Sequence, residues 1–119
     1  MKINQSIHFY GTNDLKKTKQ FYMDVCHLSL SKDQIKCHIY TQEHRFYIGF
    51  CTHLEVTIAN RSPIITFLVD DVQAWHKRMA LFSEVSEVSV NDYYSIEHFF
   101  CKDPNGYTIE FQRFLKEQE

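Results

Sequence analysis

The sequence lacks the glycine-rich loops that hold phosphate groups. It contains three glycines in 119 residues, and none of them belongs to a P-loop, a dinucleotide fingerprint or a Gly-x-Ser-x-Gly elbow. The net charge is −2 at pH 7, so no positive field is available to hold a nucleic-acid backbone. Phosphate-cradling loops and nucleic-acid partners are therefore not expected.

Long apolar runs are missing as well. The longest, Ile64 to Val69, is much shorter than the roughly 20 residues that a membrane-spanning helix needs. The N-terminal residues Met1 to Gln5 do not contain the apolar segment of a secretion signal. These features predict a soluble cytoplasmic protein with no membrane partner.

The cysteines do not follow a metal-binding or redox pattern. There are four of them, and no two have the Cys-x-x-Cys spacing of a zinc ribbon or a thioredoxin-type pair. In a cytoplasmic protein, reduced thiols that pack as small apolar groups are the expected state. The four are Cys26, Cys37, Cys51 and Cys101.

The sequence does contain enough apolar surface for a folded domain. Apolar residues make up 44% of the chain and aromatic residues 15%, which is typical of globular proteins and not of disordered ones. A chain of 119 residues fits one domain, or two very small ones that share a core, and a domain of this size can fold without disulfides.

The clearest local pattern is a β-hairpin near the C-terminus. Residues 103 to 106, Asp-Pro-Asn-Gly, separate two apolar segments; proline presets its own φ, and asparagine and glycine tolerate positive φ. On the outgoing strand Ile109 and Phe111 share one face, whereas Glu110 lies on the other. The alternation predicts that Glu110 points away from the apolar layer.

The first half of the chain has the pattern of a βαβββ unit. A strand from Ile7 to Gly11 precedes a helix that Asn13 or Asp14 caps. Side chains suited to burial then recur at spacings of three and four, as on one face of a helix. The predicted stripe and the strands after it are Leu15, Thr18, Tyr22 and Val25, then Leu28 to Leu30, Lys36 to Tyr40 and Phe46 to Cys51.

The second half repeats this order. A strand from Ile64 to Val69 is followed by a cap at Asp70 or Asp71, a helical stripe with the same spacing, a strand near Val85 to Val90 and the hairpin. The stripe comprises Val72, Trp75, Met79 and Phe82. The repeat predicts an α+β fold in which residues 1–119 form one domain of two βαβββ modules, about 1–57 and 62–119.

Three segments in this order resemble the vicinal oxygen chelate superfamily, which includes glyoxalases, extradiol dioxygenases and bleomycin-resistance proteins. They are Asn13 to Leu15 before Phe21 and Tyr22, Val69 to Val72 before Trp75, and Asp103 to Gly106 before Ile109 to Phe111. The resemblance covers nearly the whole chain. It implies two curved mixed sheets that form a cup with the helices outside, a small molecule bound in the cup, and commonly a homodimer.

In the metal-using members of this superfamily, the first and last strands of each unit supply the ligands. The resemblance places Ile7 and Ile64 at the first-strand positions, and Gly49 and Glu110 at the last-strand positions. Only Glu110 has a side chain that can bind a metal, whereas a catalytic site usually has three protein ligands. A complete metal site is therefore not expected.

One alternative would bring a histidine into the cup. With the strand register of the second unit, His8 and Tyr10 would face the helix. A bulge near Gly11 would shift the register by one and turn both side chains into the cup. His8 is then a candidate ligand beside Glu110; otherwise it is a hydrogen-bonded core histidine.

The incoming hairpin strand supplies the other candidates. His98 is expected on the cup side, where Glu110 on the adjacent strand could orient it as a general base or as a polar contact for a ligand. Its repeat counterpart, Cys37, would face the same cavity. Gly49 is a further cavity-lining candidate. Four aromatic residues either line or cover an aromatic pocket or are ordinary sheet residues: Phe46, Tyr47, Tyr93 and Tyr94.

The preferred hypothesis is a glyoxalase-like protein that binds a small molecule in an apolar, aromatic cup without a complete metal site. The alternative is a lyase, isomerase or dioxygenase that uses a divalent metal on a substrate with vicinal oxygens. Its candidate ligands are His8, His98 and Glu110, and Glu110 or His98 would move the proton. A purely structural module is a third possibility.

Overall fold

The computed structural model describes residues 1–116 and divides the chain into two compact units, Met1–Thr57 and a second that begins at Ile58. The first unit contains β1 His8–Gly11, α1 Leu15–Lys19, a π-helix Gln20–Val25 that continues α1, β2 Ser29–Asp33, β3 Cys37–Thr41 and β4 Tyr47–Cys51. The second contains β5 Ile64–Leu68, α2 Val72–Met79, β6 Ser89–Asn91, β7 Ile96–Lys102 and β8 Thr108–Phe114.

Each unit has one four-stranded sheet, and the two sheets have the same topology. The strand orders are β1-β4-β3-β2 and β5-β8-β7-β6. The first pair in each order is parallel, and the other pairs are antiparallel. The α+β class and the two repeated halves are therefore confirmed. No helix in the described part of the chain has the length and apolar character needed to cross a bilayer.

The first helix is fixed at its start by a side-chain cap and along its length by aromatic packing. The Oδ1 atom of Asp14 accepts a hydrogen bond from the backbone N–H of Lys17 at 2.9 Å, which satisfies one of the unpaired donors of the first turn. The π-helical turns carry Tyr22 into the core, where its ring stacks on Phe50 with centroids 4.7 Å apart. The predicted stripe is buried at Thr18, Tyr22 and Val25.

The second helix is built the same way but is shorter than predicted. Asp71 accepts a hydrogen bond from the backbone N–H of Ala74 at 2.9 Å, and Trp75 stacks on Phe111 with centroids 4.9 Å apart. The helix ends at Met79, so the prediction that Phe82 continues the buried stripe is wrong. Its side chain is 55% exposed, because the chain has left the helical path before residue 82.

Two strands differ from their predicted bounds by more than one residue. Leu28 is buried but precedes β2, because its backbone N–H donates to the Tyr22 carbonyl at 2.8 Å and so belongs to the end of the helix. The predicted strand from Val85 to Val90 is reduced to β6. Ser86 precedes β6 but already bonds to β7, since its backbone N–H donates to the Phe100 carbonyl at 2.9 Å and its Oγ accepts from the Phe100 backbone N–H at 2.8 Å.

The first strand pairs with β4 in an unbroken register, so the shift that would turn His8 and Tyr10 into a cup does not occur. The partners are His8 with Ile48 through Gly11 with Cys51. Tyr10 packs against Phe50 on the helix side of the sheet, with ring centroids 5.8 Å apart. His8 lies on the same face of the strand as Tyr10 by alternation. It is exposed, so it is not a core histidine either.

The expectation of four reduced thiols is wrong for two of them. Cys37 and Cys51 form a disulfide between β3 and β4. They are direct cross-strand partners in the register of this antiparallel pair, which brings their Cα atoms to 4.1 Å. Spacing along the chain did not reveal a pair that only sheet register creates. Cys26 and Cys101 are buried and form no disulfide.

Candidate functional site

A pocket of about 480 Å³ lies in the second unit. Its walls combine aromatic and apolar side chains with amide, imidazole, carboxylate and guanidinium groups. The lining residues are Arg61, Asn91, Tyr94, Ile96, His98, Phe100, Glu110, Gln112 and Phe114. The volume falls within the range of roughly 300–1,000 Å³ that is usual for small-molecule sites.

The hairpin of β7 and β8 supplies most of this wall. In its register His98 pairs with Gln112, and Phe100 pairs with Glu110. Side chains of directly paired residues lie on the same face of a sheet, so these four form one patch. The opposite face carries Phe111, which is buried against Trp75 of α2.

The turn that joins the two strands is fixed by one carboxylate. Asp103 Oδ1 accepts hydrogen bonds from the backbone N–H groups of Asn105 and Tyr107, both at 2.9 Å. Gly106 has a φ of +92°, a conformation that strains other residues. The Asp-Pro-Asn-Gly sequence therefore sets the register that brings the pocket residues into alignment.

Glu110 is the most buried polar group in the pocket, with 7% of its surface exposed. Thr66 Oγ1 donates to its Oε1 at 2.7 Å, and His98 Nδ1 lies 2.6 Å from its Oε2. Burial by itself would raise the pKa of Glu110, but hydrogen bonds from Thr66, His98 and Gln112, together with the charge that His98 carries when it is protonated, outweigh burial and lower the pKa. Glu110 is therefore a carboxylate at neutral pH.

The carboxylate also determines the tautomer of His98. An ionised carboxylate only accepts hydrogen bonds, so the 2.6 Å contact assigns the proton to Nδ1. In the neutral ring Nε2 is then the acceptor. Thr66, Glu110 and His98 form one connected polar network at the wall of an aromatic pocket.

Three polar residues of the pocket were not found from the sequence. The guanidinium of Arg61 lies 4.5 Å from the centre of the Phe100 ring, and Asn91 and Gln112 present side-chain amides. Alternation along β8 places Gln112 on the face of Glu110 and is a signal that could have found it. No local pattern points to Arg61, which precedes β5 in a loop.

Of the predicted site residues, Glu110, His98 and Tyr94 line this pocket. Within the first unit, Tyr47 bonds through its hydroxyl to His44 Nδ1 at 2.8 Å, and Gly49 is covered by the ring of Phe9. His8 and Tyr10 lie on the helix side of β1, and Cys37 is in the disulfide.

The residues of this pocket do not fit the metal centre that the superfamily implies. Of the four implied positions, only Glu110 offers a donor, and its two oxygens already accept hydrogen bonds from Thr66 and His98. Among residues 1–116, no third His, Cys, Asp or Glu side chain joins this pair within reach of one ion.

Two βαβββ units with matching strand orders make up the glyoxalase-like fold, and this is the fold of the chain. A glyoxalase/bleomycin resistance protein/dioxygenase from Nocardioides matches with a TM-score of 0.78 at 12% identity, covering 100% of this chain and 88% of that one. TnmS3, an antibiotic binding protein from Streptomyces sp. CB03234, matches with a TM-score of 0.78 at 17% identity, covering 94% and 96%.

A third solved structure, lactoylglutathione lyase from Agrobacterium tumefaciens, has a TM-score of 0.71 at 20% identity and covers 90% of each chain. No protein-family model and no curated protein matches the sequence. At these identities the likeness concerns the fold, so the chemistry has to be argued from the pocket itself.

Proposed function

We propose that the second unit binds a small aromatic molecule with a hydroxyl group, and that His98 Nε2 accepts the hydrogen bond from that hydroxyl. The observation that carries the proposal is the 2.6 Å contact between His98 and Glu110 in an aromatic pocket. Through this contact the buried carboxylate of Glu110 holds the His98 imidazole in one tautomer, so that Nε2 is a fixed hydrogen-bond acceptor.

The composition of the walls supports an aromatic ligand. Tyr94, Phe100 and Phe114 line the pocket, and aromatic rings bind other rings by stacked or edge-on contacts worth about 0.5–1.5 kcal/mol beyond their buried area. The half-buried amides of Asn91 and Gln112 add directional contacts to the pocket wall. This combination of apolar walls and a few placed polar groups is typical of small-molecule sites.

One of the similar structures agrees with this kind of function. TnmS3 is described as an antibiotic binding protein, and the superfamily includes proteins that sequester drugs. We propose the same class of activity, binding without chemical change, for this chain.

The test is binding of 2-naphthol, measured by isothermal titration calorimetry, with 2-methoxynaphthalene as the matched ligand that cannot donate a hydrogen bond. We expect 2-naphthol to bind at least tenfold more tightly than the methyl ether. His98→Gln should remove this preference, because the glutamine lacks the oriented imidazole acceptor. His44→Gln, an exposed histidine of the first unit, is the control and should leave both affinities unchanged.

Equal affinity for the two ligands in the native protein would contradict the role of His98. Binding of neither ligand, with an intact melting transition, would contradict the aromatic-hydroxyl class as a whole.

The same contact favours a second candidate function, which is proton abstraction without a metal. A histidine oriented by a carboxylate is a common general base. The check is deuterium incorporation from D₂O into the methyl group of 2-acetylnaphthalene, followed by NMR. Exchange that exceeds the buffer rate in native protein and falls to it in His98→Gln would support catalysis, and exchange at the buffer rate in both would contradict it.

A further inference from the structure

Three metal-binding side chains of the first unit converge at one point. The Sγ atoms of Cys37 and Cys51 and the Nδ1 atom of His53 lie within 4.8 Å of one another. They form the only group of three or more His, Cys, Asp or Glu residues in the described part of the chain that could hold one ion. We propose that reduction of the Cys37–Cys51 disulfide converts this cluster into a Zn²⁺ site with ligands Cys37, Cys51 and His53.

The sheet, and not only the sulfur bond, keeps the two cysteines together. They are opposite each other in the antiparallel pair β3–β4, and their Cα separation of 4.1 Å is close to the roughly 4.5 Å of a non-hydrogen-bonded pair. Both side chains project from the same face of the sheet. Cleavage of the disulfide therefore leaves both thiols in place.

His53 is held beside them by the backbone that follows β4. The backbone N–H of Thr52 donates to the Lys36 carbonyl at 2.8 Å, and this bond extends the contact between the two strands past Cys51. The His53 ring then lies with Nδ1 3.8 Å from Cys37 Sγ. The ring is exposed, so it can rotate toward an ion without disturbing the core.

These distances fit tetrahedral coordination after small side-chain rotations. With Zn–S bonds of about 2.3 Å and Zn–N bonds of about 2.0–2.1 Å, a sulfur and a nitrogen ligand of one ion lie roughly 3.6 Å apart. The observed 3.8 Å between Cys37 Sγ and His53 Nδ1 is close to that value. After reduction the two sulfurs must separate to roughly 3.8 Å, which rotation about χ1 allows.

Because the two units are repeats, the positions of Cys37 and Cys51 in the first unit correspond to positions that line the pocket in the second unit. When β4 is aligned with β8 so that Gly49 matches Glu110, Cys51 matches Gln112. The cross-strand partner Cys37 then matches His98. The first unit thus carries sulfur ligands at the two positions where the second unit carries an imidazole and an amide.

Reduction adds two electrons and two protons to the disulfide and yields two thiols. A phosphine reductant supplies the electrons and becomes a phosphine oxide with oxygen from water. Binding of Zn²⁺ then displaces both thiol protons, since the thiolate is the ligand. Thiolate and imidazole donors suit Zn²⁺, and water completes the fourth position.

The experiment uses Co²⁺ as a spectroscopic probe for the Zn²⁺ site in the full chain, with and without prior reduction by tris(2-carboxyethyl)phosphine under argon. Reduced protein should bind one Co²⁺ per chain, with thiolate-to-cobalt charge-transfer bands in the near ultraviolet and the visible bands of tetrahedral Co²⁺. Added Zn²⁺ should displace the cobalt and abolish the bands. Oxidised protein should neither bind Co²⁺ at this site nor show the bands.

His53→Ala and Cys37→Ser test the ligand assignment. Loss of the exposed imidazole should weaken Zn²⁺ binding at least tenfold in a chelator competition, and loss of one sulfur should reduce the charge-transfer intensity by about half or more. His44→Ala, an exposed histidine in the same unit, is the matched control. Far-UV circular dichroism establishes that each variant is folded.

A second readout does not depend on a variant. Burial, together with the charge of Asp103, raises the pKa of the Cys101 thiol to about 12, so this thiol reacts slowly. Iodoacetamide should label Cys37 in reduced protein, and Zn²⁺ should suppress the labelling at least tenfold. Absence of charge-transfer bands in reduced native protein, or equal affinity in His53→Ala, would overturn the proposal.

Discussion

At the scale of single residues, the polarity of the pocket depends on Glu110. It is buried between a hydroxyl and an imidazole, and both of its oxygens are occupied by donors within 2.7 Å. A buried carboxylate is stable only when such donors replace the water it has lost. Glu110 therefore contributes to stability and fixes the orientation of His98 at the same time.

Replacing Glu110 with glutamine should destabilise the protein by about 1–3 kcal/mol at pH 7, the usual effect of losing hydrogen bonds to a buried charge. Because folding lowers the pKa of Glu110, the carboxylate contributes stability above its unfolded pKa and loses it as the pH falls through the folded value. The difference between native protein and variant should thus shrink below about pH 4.5. Urea unfolding at several pH values measures it.

Glu43→Gln is the control for this series. Glu43 pairs with Arg45 at 3.0 Å, but both side chains are exposed, so the substitution should change the unfolding free energy by less than about 0.5 kcal/mol. A pH-independent difference for Glu110→Gln would contradict the lowered pKa.

The atoms that surround Gly11 and Gly49 differ, so a side chain at the two positions would meet different neighbours. A Cβ at Gly11 would run into the backbone carbonyl oxygens of Leu54 and Glu55, whereas a Cβ at Gly49 would meet only the ring of Phe9. Phe9 is 45% exposed, so its ring can move aside. We expect Gly11→Ala to cost about 2 kcal/mol or more and Gly49→Ala less than about 1 kcal/mol.

Urea midpoints of the two alanine variants provide the comparison, and the native chain is the reference. A loss of stability that is equal in both, or larger at position 49, would show that the backbone around Leu54 yields more easily than the aromatic ring.

At the scale of elements, the hairpin of β7 and β8 depends on the side chain of Asp103. The carboxylate is buried and ties down two backbone N–H groups of the turn. The turn sets the register, and the register places His98, Phe100, Glu110 and Gln112 on one face. A substitution that disturbs the turn should therefore also displace the side chains of the pocket.

Asp103→Ala should lower the unfolding free energy by about 2–3 kcal/mol, because the buried N–H of Tyr107 loses its acceptor. Asp103→Asn keeps an acceptor oxygen and should cost about half as much or less. Thermal melting distinguishes the two variants. Equal losses would mean that the charge of the carboxylate, rather than its position as an acceptor, stabilises the turn.

The elements themselves were largely predictable because their signals are local. The helix caps, the helical stripes and the alternation along β8 each depend on residues within a few positions of one another, and Asp14, Asp71 and Glu110 lie as expected. Helix length was less certain, since Phe82 fits the spacing but follows the last turn.

Features that depend on the register between distant strands were not predictable in the same way. The Cys37–Cys51 bond and the cover of Phe9 over Gly49 exist only because particular strands are paired. The position of Arg61 above Phe100 depends on a loop. Sequence patterns predicted the scaffold and three residues of the pocket, His98, Glu110 and Tyr94, but not the contacts that complete it.

At the scale of the whole molecule, the homodimer stays a prediction. Edge strands β1 and β5 expose apolar side chains, among them Phe9, Ile64 and Leu68, and such edges favour association. Sedimentation velocity at several concentrations should show a species of twice the chain mass. Leu68→Lys should shift it toward the monomer without lowering the melting temperature, and a monomer at every concentration would contradict the prediction.

The strand orders also have a consequence for synthesis. In each unit the first strand pairs with the last, so β1 finds no parallel partner until residues 48–51 have left the ribosome. A nascent chain that ends before β4 carries an unpaired apolar strand and is open to chaperones. Once Cys51 has emerged, the first unit can close while the second is still being translated.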